Sequence, residues 1–536
     1  MNFTARFKYL MGLPGKIYRQ QPGRLTKSIE LDQQNCFVKL HFGVGWKEIF
    51  KNLLQLRLPI IGAKTEYLAL KKMQQLHIDS LEPVEFAESG INPATQQSYL
   101  VTKALQNMIS LEDLCAEWQH NKPSIQFKRD LIRALAVIAK KLHDNGINHR
   151  DFYLCHFLFD PQYYQQTQKI KLYLIDLHRT QIRTKTPWRW QVKDIAGLYF
   201  SALKLPLTRR DLFCFMQIYD QGNKFWQEVE VKAWDLYLKT YFVKQKIGNK
   251  TILFDAAMRD QLTLEKFFQQ PNAIIQQAQI LKNDATTTVA KYSDFLVKRY
   301  NARSLGKIFK RLFRTSRARR CLMQALRLRH LGIATPKPIA IIEQLTGVIK
   351  RESYLVIEYL EGEDLLALLN THPEKIYDVA EKIHSLFKVL YTIHTAHGDM
   401  KATNLWMAQQ QIELLDLDGM RQYSNEYALK KALVKDKKRF LKNWQQHESF
   451  HQVFQHCLGK NYFKYFLDTR ALACPQPVRE TKLRLKQLTA GELLTVLCKD
   501  EITVLDLKAM CQVLNYEFVS SKQYTDYFEI ALKVKA

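Results

Sequence analysis

His397-Gly398-Asp399-Met400-Lys401-Ala402-Thr403-Asn404 has a counterpart in His149-Arg150-Asp151-Phe152-Tyr153-Leu154-Cys155-His156, and the two aspartates lie 248 residues apart (399 − 151). Working outward, neighbouring features recur in the same order. Ser98-Tyr99-Leu100-Val101 answers to Ser353-Tyr354-Leu355-Val356, and Leu76-His77-Ile78-Asp79 before Pro83 answers to Leu331-Gly332-Ile333-Ala334 before Pro336. Apolar residues at helical spacing over 131–142 and 379–393 lead into the quoted loops, and apolar strands ending at Ile175-Asp176 and Leu415-Asp416 follow them. Such an offset is one whole domain. The expected fold class is therefore α+β, duplicated: in each copy a small strand-rich lobe, a hinge strand and a mostly helical lobe. The expected division is a domain over 1–250, a linker over 251–274 and a second domain over 275–536, with Gly248-Asn249 and Gln269-Gln270-Pro271-Asn272 as the turn-prone marks of the join.

Hydrophobic residues make up 46% and charged residues 25%, ordinary for a soluble globular chain, and 536 residues exceed what one core fills. Lys plus Arg outnumber Asp plus Glu by 80 to 52, a net charge of +28, which points to anionic partners: nucleotide, phosphorylated glycolipid, nucleic acid or a membrane surface. The nine cysteines include no CxxC pair and no zinc spacing, which argues for a reducing cytoplasm. Pro14, Gly15 and Lys16 arrive before any apolar run of signal-peptide length, and no stretch approaches about 18 uninterrupted apolar residues, so any membrane contact is expected to be peripheral.

Phosphoryl transfer asks a protein for a cation on the nucleotide phosphates, metal ligands, and a carboxylate that orients the attacking hydroxyl and takes its proton. The first copy supplies these in the order of a protein kinase. Lys39, in Cys36-Phe37-Val38-Lys39-Leu40, and Glu66, at the head of 66–76, form the expected ion pair on ATP. Taken alone they are a solvated strand charge and a helix-start acid; their order relative to the later motifs favours the pair. Asp151 is the expected catalytic base and Asp176 the expected Mg2+ ligand. His156 stands five past Asp151, where protein kinases place a metal-binding Asn, and is either a second ligand or a hydrogen-bonded core histidine. Asp194 reads as a helix acid that accepts hydrogen bonds from the catalytic loop.

His149 to Phe157, Ile175-Asp176-Leu177-His178-Arg179, Gly43-Val44-Gly45-Trp46, and Lys193-Asp194 with Gly197-Leu198-Tyr199-Phe200-Ser201 resemble the lipopolysaccharide core heptose(I) kinase family (WaaP/RfaP type) over residues 16–245. In that family a histidine at the metal position and a missing glycine after the metal-binding aspartate are usual. The resemblance implies a protein-kinase-like fold and ATP-dependent phosphorylation of the first heptose of the inner core, with the lipopolysaccharide core glycolipid met at the cytoplasmic face of the inner membrane.

The second copy is nearer to ordinary kinases. Asp399 is the expected base, Lys401 a cation for the transferred phosphate, and Asn404 and Asp416 the expected metal ligands, with Asp418 as a substitute and Asp436 in the place of Asp194. Together with Gly332-Ile333-Ala334-Thr335-Pro336, these residues resemble the lipopolysaccharide kinase family that includes Kdo kinases, over 275–450. Both copies are thus expected to be protein-kinase-like domains in tandem. Lys298 is the expected phosphate lysine. Counting back eleven residues from Gly332 lands on Cys321 where its glutamate would stand, so Lys298 is expected to lack a carboxylate partner, with Gln324 as a weaker substitute. Neither copy has a glycine-rich phosphate loop. Lys298 to His330 holds twelve Lys or Arg and no acid, which reads as a glycolipid or membrane surface or, equally, as a solvated helix face. Nucleic acid is not expected as a partner. Three function classes follow: a bifunctional core kinase, one active core kinase joined to a binding or scaffold domain, or a kinase of another small molecule or of proteins.

Overall fold

The computed structural model describes every residue except 1, 22, 55–60, 259–261, 302–314, 347–348, 459–465, 471, 473–474, 525–526 and 536. The chain divides into two compact units, Met1–Leu207 with Asp211–Gln221 and Glu228–Leu236, and Tyr237–Ala536 with Thr208–Arg210 and Gly222–Gln227.

In the first unit an antiparallel sheet runs in the order Ile17–Gln21, Arg24–Leu31, Gln34–His41, Gln97–Lys103, Pro83–Ser89. Alternation along Gln34–His41 turns Cys36, Val38 and Leu40 into a core with Phe7 and Leu10 of helix Phe3–Gly12, and so sends Lys39 out from the other face. Helix Lys64–Gln75 buries Glu66, Ala69, Leu70 and Met73, one stripe at i, i+3, i+4 and i+7. The lower lobe is built on helix Ile125–Asp144, capped by Ser124, and carries a three-stranded sheet and a two-strand ladder between Ile147–Asn148 and Gln181–Ile182.

The second unit repeats this order. Strands Gln279–Asp284, Thr287–Tyr292, Phe295–Tyr300, Ile349–Glu358 and Pro338–Thr346 neighbour one another as their counterparts do, and a hairpin of Lys250–Asp255 and Phe242–Ile247 extends the sheet beyond Pro338–Thr346. Residues 251–274, expected to be a linker, are structural: Ile252, Phe254, Leu264, Phe267 and Phe268 join Ile275, Val297, Tyr354 and Val356 in one core. The apolar content of that segment is what draws it in.

The helical lobe ends before the C-terminus. Strands Phe466–Asp468, Leu493–Cys498, Tyr527–Val534 and Tyr516–Tyr524 form a separate four-stranded sheet, in that order, with helices Gln476–Leu485 and Glu501–Val513. Its core, including Leu485, Leu494, Val496, Leu507, Ile530 and Leu532, is its own. The expectation of one kinase-like domain running to residue 536 is corrected by this β-α-β-α-β-β segment. Its strands and helices are of the same lengths as those before it, so element length gives no mark of the boundary. No helix among the described residues is long and apolar enough to cross a membrane.

Candidate active site

In the first unit Lys39 Nζ donates to Glu66 Oε1, and Glu66 is only 1% exposed, so strand and helix are tied by a buried charge pair. The loop after Ile147–Asn148 is held from below. Asp194, in helix Trp188–Ala202, accepts from the backbone N–H of His149 at 2.6 Å and of Arg150 at 2.9 Å, as expected of it. Arg150 takes φ +75° there. His149 Nε2 lies 3.0 Å from the Ile175 carbonyl, which ties the loop to the strand that delivers Asp176; burial lowers the His149 pKa and keeps the ring neutral.

Asp176 sits at φ +60°, a left-handed conformation that costs a non-glycine residue strain and recurs at Asp416, φ +52°. Its Oδ1 is 2.5 Å from His178 Nδ1 and its Oδ2 3.6 Å from His156 Nε2. Burial opposes ionisation of Asp176, but the His178 hydrogen bond and the charges of His178, Lys39 and His156 hold its carboxyl below the usual range. His156 Nδ1 lies 2.6 Å from the Asp151 carbonyl, which assigns the proton to Nδ1 and turns Nε2 toward Asp176. Burial works against charging His156, but hydrogen bonds to Cys155 and to the Asp151 backbone, with the nearby acids, raise it to about 9. The base candidate Asp151 is gripped by a residue to which the sequence pattern assigns no role: Arg179 Nη1 donates to both carboxylate oxygens, at 2.9 and 3.0 Å. Its signal is a position in the chain, three residues past Asp176.

The second unit repeats the contacts of the catalytic loop. Asp436 accepts from the N–H of His397 at 2.7 Å and of Gly398 at 2.9 Å, and His397 Nε2 lies 2.9 Å from the Leu415 carbonyl. Asn404 Nδ2 donates to the Asp399 carbonyl at 2.8 Å, the contact His156 makes in the first unit. The base candidate Asp399 pairs with Lys401, Nζ to Oδ2 3.1 Å, and with Arg439 of helix Glu426–Lys442.

Lys298 does not lack a carboxylate partner. Its Nζ donates to Asp416 Oδ1 at 2.6 Å and lies 3.5 Å from Asp418 Oδ2. Burial would lower the Lys298 pKa, and the charges of Asp418 and Asp416 raise it instead. Cys321 occupies the glutamate position, and its Sγ donates to Asp418 Oδ1 at 2.7 Å, which is also reached by Tyr300 Oη at 2.7 Å. A carboxylate from the loop thus replaces one from the helix. Gln324 does not serve: among the described residues its buried Oε1 has no hydrogen-bond partner.

Of the basic run from Lys298 to His330, residues 302–314 lie outside the described residues. Of the rest, Arg317 pairs with Asp418, Arg327 donates to Thr395 Oγ1 at 2.9 Å and Arg329 to the Thr335 carbonyl at 2.7 Å, while Arg320 and Arg329 stand exposed. Among the described residues this run is therefore partly paired within the fold and partly exposed.

Residues 9–219 and 265–455 match the family described as "Lipopolysaccharide kinase (Kdo/WaaP) family", and 465–534 match "Sulfurtransferase TusA". The chain is 43% identical over 213 residues to the lipopolysaccharide core heptose(I) kinase WaaP of Escherichia coli K12, a match that covers 40% of this chain and 80% of that protein. It is 41% identical over 254 residues to the protein of the same name from Pseudomonas aeruginosa, 45% of this chain and 92% of that one. A putative sulfur carrier protein, YrkF of Bacillus subtilis, is 38% identical over 56 residues, 10% of this chain and 30% of its own length. A solved structure titled "WaaP in complex with acyl carrier protein" is 34% identical and covers 43% of this chain and 92% of its own, with a TM-score of 0.38. With more than half its length matched, the chain belongs to the lipopolysaccharide kinase (Kdo/WaaP) family, and it is a phosphotransferase with an alcohol group as acceptor.

Proposed function

We propose that the first unit transfers the γ-phosphoryl group of ATP to a hydroxyl of the first heptose of the lipopolysaccharide inner core, and that the second unit holds a second kinase-like nucleotide site. The observation that carries the first part is the convergence of Lys39–Glu66, Asp151, His156 and Asp176 within a segment similar to the two heptose(I) kinases. Lys39, fixed by Glu66, meets the nucleotide phosphates. Asp151 orients the acceptor hydroxyl and takes its proton as the new O–P bond forms.

The donor set fits Mg2+, which keeps waters and binds through one or two carboxylates plus substrate phosphates. Asp176 would hold it in the first unit, with Nε2 of His156 joining only on giving up the proton that its raised pKa keeps there, and Asp416 with Asn404 would hold it in the second. When bound, magnesium draws charge from the phosphate oxygens. In the second unit Lys298, held by Asp416 and Asp418, would meet the phosphates, and Asp399 with Lys401 would handle the acceptor.

The domains are then a first kinase domain within 1–250, a second over 275–455 resting on the core that 251–274 completes, and a sulfur-handling domain over 465–534. Cysteines Cys498 and Cys511 of that last domain are buried, and burial pushes their thiols up to about 12 and about 11.

Purified chains carrying Asp151→Asn or Asp399→Asn, given ATP and core oligosaccharide, test the two sites by mass spectrometry of the product. Asp151→Asn removes the heptose phosphate; a product that keeps it sinks the first reading. If Asp399→Asn changes no product, the second unit is a binding or scaffold domain and not a core kinase.

A further inference from the structure

The two sites hold their base aspartates with cations from exchanged positions. In the second unit the grip comes from Lys401, two past Asp399, and from Arg439, three past Asp436. The same positions in the first unit are Tyr153 and Gly197. Neither offers a cation: a Cβ on Gly197 would stand 3.3 Å from the Tyr153 ring, so the glycine makes room for the tyrosine. In the first unit the grip comes from Arg179, three past Asp176. The same position in the second unit is Gly419, where a Cβ would stand 3.1 Å from the His397 carbonyl. Lys193 and Lys435 occupy one position in both units and so cannot account for the exchange.

A cation in contact with the base lies within reach of the reacting phosphorus, because only the acceptor hydroxyl stands between the base and that atom. In the transition state charge spreads over the equatorial phosphoryl oxygens, where a cation acts most strongly. Arg179 is suited to this. It spends Nη1 alone on Asp151, and the rest of a planar guanidinium fork matches phosphate oxygens.

We propose that Arg179 is the catalytic cation that stabilises the transferred phosphoryl group in the first site, the role that Lys401 has in the second. This rests on the phosphotransferase reading of the first unit. The acceptor O–P bond forms, the bond from the γ-phosphorus to the bridging β-oxygen breaks, the hydroxyl proton goes to Asp151, and Arg179 makes and breaks only hydrogen bonds.

The test uses the full chain with Asp399→Asn, so that only the first site turns over. Arg179→Ala should lower kcat about 100-fold while leaving KM for ATP within about threefold. Arg179→Lys, and separately Arg179→Ala with Tyr153→Lys, which puts the cation where the second site has it, should each recover at least about tenfold. The proposal is overturned if Arg179→Ala keeps kcat within about threefold of its parent, or if neither variant recovers activity. Should Arg179→Ala fail to fold, Arg179→Gln keeps a hydrogen bond without the charge, and a glutamine variant as active as its parent overturns the proposal equally. Transfer of the phosphoryl group from ATP to water is scored alongside transfer to the acceptor. A parent that hydrolyses ATP but never phosphorylates heptose refutes the acceptor reading and leaves Arg179 to be judged on hydrolysis; a parent that does neither overturns both.

Discussion

One oxygen of the Glu66 carboxylate accepts from Lys39, and the other, buried, has no hydrogen-bond partner among the described residues. Truncating one partner of a buried pair leaves the other charge buried, at a cost of about 3–5 kcal/mol. Lys39 retains 13% side-chain exposure, so Glu66→Ala is expected at the low end, about 3 kcal/mol, with transfer reduced at least about tenfold. Urea unfolding and initial rates check it; an unchanged midpoint and rate would refute it. His41, buried at the end of the lysine strand, is a second test. Burial, then the charges of Arg24, Lys39 and His178, lower its pKa to about 3 from an ordinary value near 6.5. Because the folded pKa is the lower one, the unfolded chain takes up the proton first: the contribution is whole above pH 6.5 and is lost as pH falls toward 3. Between pH 7 and pH 5 the chain should lose about 2 kcal/mol through this residue, and His41→Gln should flatten that slope in urea titrations. At this scale the sequence shows the order of Lys39, Asp151, His156 and Asp176 along the chain, because each stands in a short recognisable run. It is not readable for Asp418 or Arg179, whose partners lie 118 and 28 residues away and are brought close only by the finished fold.

Helix Gly45–Leu54 follows the lysine strand and buries Ile49 while Trp46, Phe50, Leu53 and Leu54 stand exposed, with Lys47 and Lys51 beside them in sequence. Trp46 and Phe50 are in ring contact at 5.7 Å. On the acceptor proposed above, this aromatic and aliphatic face is the surface that would meet an anionic bilayer, although Lys51 already pairs with Glu48 at 3.2 Å. Full-length chain should co-sediment with vesicles containing phosphatidylglycerol, less so at high salt. Burying each large apolar side chain is worth about 1.5–3 kcal/mol, so Trp46→Ser with Phe50→Ser should weaken partitioning at least about tenfold. Equal partitioning of variant and parent would dismiss the helix as the contact. Elements of this kind separate what sequence patterns reveal from what they hide. Apolar spacing over 131–142 correctly announces helix Ile125–Asp144, yet the apolar residues of 251–274 give no sign of the sheet they join, because burial between distant strands leaves no periodic mark of its own.

At the scale of the whole chain, the duplication is legible through the spacing of its motifs, whereas the C-terminal segment has no partner in the first copy to compare with. Its core is closed within residues 467–534, with Leu507 fully buried among Leu494, Val496, Ile530 and Leu532. A core that closes on itself can unfold as its own cooperative unit. Leu507→Ala removes a packed side chain from it, at about 2–5 kcal/mol, which is a large share of the stability of so small a domain. Calorimetry of the full chain should then show one transition moved several degrees lower and the others in place, and heptose phosphorylation at a temperature below that transition should match the parent. If the substitution moved every transition together, or removed kinase activity at a temperature where the parent is folded, the C-terminal segment would be part of the catalytic fold and the three-domain division would be wrong.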